Sequence, residues 1–66
     1  KWEKIMKKII QVTSVIPKDE EVILINPYQI ESVFSQGKQG SAIRMVSGEV
    51  YVVSDSIKSI YDKINK

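Results

Sequence analysis

The 66-residue chain contains no cysteine and no histidine. Disulfides are therefore excluded, and a zinc site would have to draw all its ligands from carboxylates, against the usual Cys and His chemistry. Nucleophilic catalysis loses both its thiol and its imidazole base. A serine–lysine pair is the remaining conventional option, and no motif in the chain supports one. Calcium loops need alternating acidic residues around a glycine, a pattern that Asp19-Glu20-Glu21 does not match. Acid–base pairs would have to come from Glu21, Glu31, Glu49 or Asp55, and Glu31 and Glu49 fall at outward-leaning strand positions. The expectation is a chain that is not an enzyme and takes no cofactor, metal or small-molecule substrate.

Long apolar runs are also missing, so no segment approaches the roughly 18 residues of a membrane span. Lys7-Lys8-Ile9-Ile10-Gln11 turns polar too soon for a secretory signal, which makes the cytoplasm the expected address. Met6 before Lys-Lys-Ile-Ile reads as a natural start, leaving residues 1–5 as vector-derived, an upstream extension or the end of a longer chain. Residues 1–7 are expected to form a tail, with Trp2 a tail residue rather than an anchor, and residues 8–66 one domain. The net charge is +2. Residues 1–8 hold four Lys and one Glu, or +3, so residues 9–66 sum to −1. The basicity belongs to the tail, and a phosphate-binding face needs it on the folded surface.

What the chain does have is alternation. Ile10, Val12 and Ser14 share one parity from Lys8 to Ile16, with β-branched residues dominating, which suits a pleated strand. Pro17 and the charged run Lys18 to Glu21 form a polar turn. Val22-Ile23-Leu24-Ile25 is apolar throughout, implying a strand covered on both faces or touching another chain. Asn26-Pro27 stops it, because proline disfavours helix before itself and donates to no ladder. A third strand is expected over Tyr28 to Ser35, with Tyr28, Ile30 and Phe34 on one face and a bulge or short turn between Pro27 and Ile30. Gly37 and Gly40 open the next hairpin, supplying positive φ; the stretch lacks the Gly-Lys-Ser/Thr ending of a phosphate loop. Strand four covers Ser41 to Val46, with Ile43 and Met45 on one face and Ala42, Arg44 and Val46 on the other. Ser47-Gly48 reads as a two-residue turn, and strand five is Glu49 to Val53.

Ser54 or Asp55 is expected to cap a C-terminal helix over residues 55–65. Ile57, Ile60, Tyr61 and Ile64 recur at i, i+3, i+4 and i+7, a single apolar stripe that should roof the sheet. The fold class is therefore α+β: about five antiparallel strands in a bent sheet or small open barrel, with one helix packed on it. A domain of this size buries only about 60% of its unfolded surface. With no disulfide or metal, self-association or a protein partner is expected to help, through unpaired edges or the Val22–Ile25 face. The candidate interaction surface is Val22, Ile23, Ile25, Tyr28, Arg44 and Tyr51. Asn26, Pro27, Gly37, Gly40 and Gly48 are assigned to turn geometry.

The run Ile25-Asn26-Pro27-Tyr28-Gln29-Ile30-Glu31-Ser32-Val33 resembles the flagellar-operon family FlbD, in which an apolar residue and Asn-Pro precede Ile-Glu. Ile43 to Val53, with Gly48 before Tyr51-Val52-Val53, is similar to that family's next segment, and Ser56 to Ile64 to its final helix. The resemblance covers most of residues 8–64. It implies an association with flagellar motor function and no enzymatic activity, and it assigns no binding residues. Small phage proteins share such a pattern. The Ile-Glu strand and following hairpin are also similar to LytTR DNA-binding domains. That alternative would use Lys38, Arg44, Tyr28 and Tyr51 as a basic, aromatic face. A single arginine and a nearly neutral domain weigh against nucleic acid.

Overall fold

A computed structural model describes residues 9–65; the expected tail at residues 1–7, including Trp2, lies outside the described residues. Five strands follow in order: β1 (Ile10–Ile16), β2 (Glu21–Ile25), β3 (Ile30–Ser35), β4 (Ser41–Met45) and β5 (Val50–Val53). The helix α1 (Ile57–Ile64) closes the chain. All five strands join one antiparallel sheet in the order β2-β1-β5-β4-β3. The expected α+β architecture is present.

The connection between β2 and β3 explains the curl of the sheet. These strands form opposite edges, yet only Asn26 and the 3₁₀ turn Pro27–Gln29 join them. A flat five-stranded sheet would hold its edges about 19 Å apart. The link reaches only roughly 14 Å, because a 3₁₀ turn rises about 2 Å per residue. The sheet must bend until its edges approach. Asn26 sets the turn: its side-chain oxygen accepts from the Tyr28 N–H at 3.0 Å, and Pro27 occupies the first turn where no donor is needed.

The inner face carries the core. Ile10 and Val12 of β1 lie opposite Ile25 and Ile23 of β2, and Ile43 of β4 lies between Val33 and Tyr51. Ile10, Val12, Ile25, Ile43, Val53 and Ile60 form one buried cluster, with Ile23, Ile30, Val33, Met45 and Tyr51 packed against it. Ile60 is the lid at 1% exposure, a burial that contributes about 2–3 kcal/mol. The rest of the helical stripe is less covered than expected: Ile57 is 42% and Ile64 40% exposed, and Tyr61 more so. Only one of the three isoleucines fully roofs the sheet.

Other boundaries differ from the sequence reading for local reasons. Tyr28 belongs to the 3₁₀ turn rather than to a strand. Four residues, Val46 to Glu49, separate β4 from β5 rather than two; the Gly48 N–H returns to the Met45 carbonyl at 2.9 Å, and Gly48 takes φ 100°. The helix cap is Ser56, whose hydroxyl accepts from the Ser59 N–H at 3.1 Å. Asp55 is occupied elsewhere. The stretch Glu21–Ile25 alternates, with Ile25 buried and Val22 and Leu24 exposed, so one of its faces is uncovered among the described residues.

Candidate interaction surface

Two bulges decide which side chains reach the outside. On β1 the register shifts between Ser14 and Ile16, leaving an extra residue at Val15. Ile16 therefore lies opposite Val52 on the outer face instead of continuing the Ile10–Val12–Ser14 parity. On β3 the shift falls between Ile30 and Ser32, with Glu31 as the extra residue. Ile30 and Val33 both meet the core, and Phe34 turns outward, correcting the expected shared parity of Ile30 and Phe34. One bulge re-aims everything after it.

The outcome is an apolar row across four strands on the outer face, Ile16–Val52–Ala42–Phe34, each directly opposite the next. Leu24 and Val22 of β2 lie on the same face opposite Gln11 and Thr13, and Val50 lies opposite Arg44. Ile16, Val22, Leu24, Phe34 and Val50 are all about half exposed or more. Isolated surface aliphatics need no explanation, whereas a contiguous set on one face does.

The six candidate residues from the sequence do not form one patch. Val22 and Arg44 stand on the outer face, Arg44 paired with Glu31 at 3.8 Å. Ile23, Ile25 and Tyr51 face inward, and Ile25 is buried. Burial removes Ile25 from any surface contact. Tyr28 stands exposed on the 3₁₀ turn. The basic, aromatic face imagined for nucleic acid is not assembled, since Tyr51 and Arg44 sit on opposite faces of the sheet. Tyr51 donates to Glu49 at 3.2 Å; that bond, partial burial and the Glu49 and Glu21 charges raise its pKa above 10.0. The assigned turn residues do carry the turns: Gly37 and Gly40 take φ 63° and 104°.

Three polar side chains, Asp55, Lys63 and Ser41, hold elements together. The Asp55 carboxylate accepts from the Thr13 N–H at 2.9 Å and from the Lys63 ammonium at 2.7 Å, while Lys63 also donates to the Gln11 carbonyl at 2.6 Å. Burial alone would raise the Asp55 pKa, but the Lys63 and Thr13 hydrogen bonds outweigh it and hold it below 3.8. Ser41, fully buried, donates to the Asp55 carbonyl at 2.8 Å. A side chain on Gly40 would run into the Val53 carbonyl and the Ser54 backbone. Small residues thus let the β5–α1 connection cross close to the sheet, and the Asp55–Lys63 clamp locks the helix to β1. Sequence reasoning assigned Asp55 to capping because a carboxylate before a helix is a common cap; its long-range partners leave no local signal. Among the described residues no three metal-binding side chains converge.

By fold this is a small α+β domain: a curled five-stranded sheet, a helical lid and an aliphatic outer face. The chain belongs to the FlbD family of flagellar and swarming motility proteins, whose sequence model matches residues 9–66. No curated protein and no solved structure matches the chain.

Proposed function

We propose that the chain is a non-catalytic, self-associating protein-interaction module that acts in flagellar motility from the cytoplasm. The observation that carries this reading is the set of exposed apolar side chains on the outer face of the sheet, Ile16, Val22, Leu24, Phe34 and Val50. Membership of a flagellar and swarming motility family supplies the cellular context. No helix of the described residues is long and apolar enough to cross a membrane. The near-neutral domain and the pairing of Arg44 with Glu31 give no support to a nucleic-acid partner.

Complementation tests the proposal. Cells lacking the gene are expected to swim or swarm poorly, and wild-type protein to restore movement. A Leu24→Lys, Phe34→Lys variant with an unchanged circular dichroism spectrum is expected to fail. Full rescue by that variant, or normal motility in the deletion strain, contradicts the reading.

A further inference from the structure

The two edge strands are guarded very differently, and this difference points to one of them. Exposed edges offer unpaired backbone groups, and native proteins blunt them with bulges, charge, proline or cover. Strand β3 has three such devices: a bulge at Glu31, the Glu31–Arg44 ion pair, and contact with α1. Among the described residues strand β2 carries neither a bulge nor an ion pair, and it packs less against α1 than β3 does. Its five residues pair with β1 in unbroken register, contain no proline or lysine, and place their one charge, Glu21, at the first position. Its outer-face side chains, Val22 at 56% and Leu24 at 64%, are among the most exposed aliphatics of the described residues.

We infer that the free edge of β2 pairs antiparallel with β2 of a second copy, joining two five-stranded sheets across a two-fold axis at Ile23. This inference rests on the self-association reading and names the surface responsible. The second copy is chosen because the segment is its own complement. Antiparallel pairing centred on Ile23 sets Ile23 against Ile23, Val22 against Leu24, and Glu21 against Ile25 of the other chain. The exposed aliphatics of each copy then lie directly opposite those of the other on the outer face, within side-chain contact. The two Glu21 carboxylates fall at opposite ends of the joint, so no like charges meet. A two-fold axis is the usual symmetry of such self-complementary patches. A five-residue edge is about 17 Å long. That is less contact than the roughly 800 Å² per partner of a standard interface, so the dimer is a reversible one.

Sedimentation equilibrium over micromolar to millimolar concentration, on wild type and three variants, tests this. Wild type is expected to dimerise, and Val22→Lys with Leu24→Lys to weaken the dissociation constant by roughly tenfold or more, since like charges would then face each other across the joint. Both positions are exposed, so a retained circular dichroism spectrum is expected. Tyr61→Lys on the helix and Val46→Lys on the β4–β5 turn, both exposed, are expected to leave the constant unchanged. An unchanged constant in the β2 variant, with loss in either control, overturns the β2 edge while self-association stands. A wild type that stays monomeric throughout overturns both.

Discussion

The hairpins at the two margins of the sheet solve the same geometric problem with different materials. The β3–β4 hairpin turns on two positive-φ glycines, carries a bulge and an ion pair, and wedges Gly40 beneath the β5–α1 connection. The β1–β2 hairpin turns through Pro17 to Glu20 and places a glutamate at φ 58°. Its outer strand runs in plain register with exposed aliphatics. One margin carries a bulge and an ion pair; the other, among the described residues, carries neither. The difference teaches that one short chain can finish the two edges of its sheet with quite different devices.

The comparison breaks most visibly at Gly40. Gly40→Ala forces a Cβ into backbone at φ 104°, and is expected to lower unfolding stability by about 3 kcal/mol or more in denaturant titration. Gly37→Ala, at φ 63° with open space around it, is expected to cost about 1 kcal/mol. Equal losses would mean that backbone conformation alone, and not the close approach, matters at this margin.

Next in size is the clamp that backs the other margin. Asp55→Asn weakens the bonds to Lys63 and the Thr13 N–H, and is expected to cost about 1–2 kcal/mol at neutral pH. Because the folded Asp55 pKa is depressed, its contribution is complete above 3.8 and is lost as pH falls through the lowered folded value. The gap between wild type and Asp55→Asn should therefore narrow in acid. A gap that is constant from pH 7 to pH 2 refutes the ion pair as its source.

A smaller effect sharpens the contrast at the turns. Glu20→Gly relieves a left-handed glutamate and is expected to raise stability by about 0.5–1 kcal/mol. The last is Glu31→Val, which strips the charge from β3. Its effect on monomer stability is expected to stay within about 0.5 kcal/mol, as for an exposed ion pair, while assemblies larger than a dimer appear by light scattering.

Much of the fold was legible because alternation is local. Ile10-Val12-Ser14, Ile43-Met45 and Tyr51-Val53 point inward as their parity required. The Asn26-Pro27 stop and the glycines at residues 37 and 40 also marked their turns. The outer surface was much less legible. A bulge inserts one residue without a compositional signature, so Ile16 and Phe34 changed faces relative to simple counting. The four-residue apolar run Val22–Ile25 signalled either double coverage or another chain; β2 in fact lies at an edge of the sheet with Val22 and Leu24 exposed, so double coverage is not what the described residues show. Sequence separation hid Asp55, whose Thr13 partner is 42 residues away.

Concentration-dependent amide hydrogen exchange reaches the contrast between the margins most directly. Raising the protein from micromolar to millimolar should slow exchange at the outward-pointing amides within Glu21–Ile25 and leave those of Ile30–Ser35 unchanged. If β2 amides exchange at one rate across that range, or protection gathers on β3 instead, the assignment of the pairing edge to β2 is wrong.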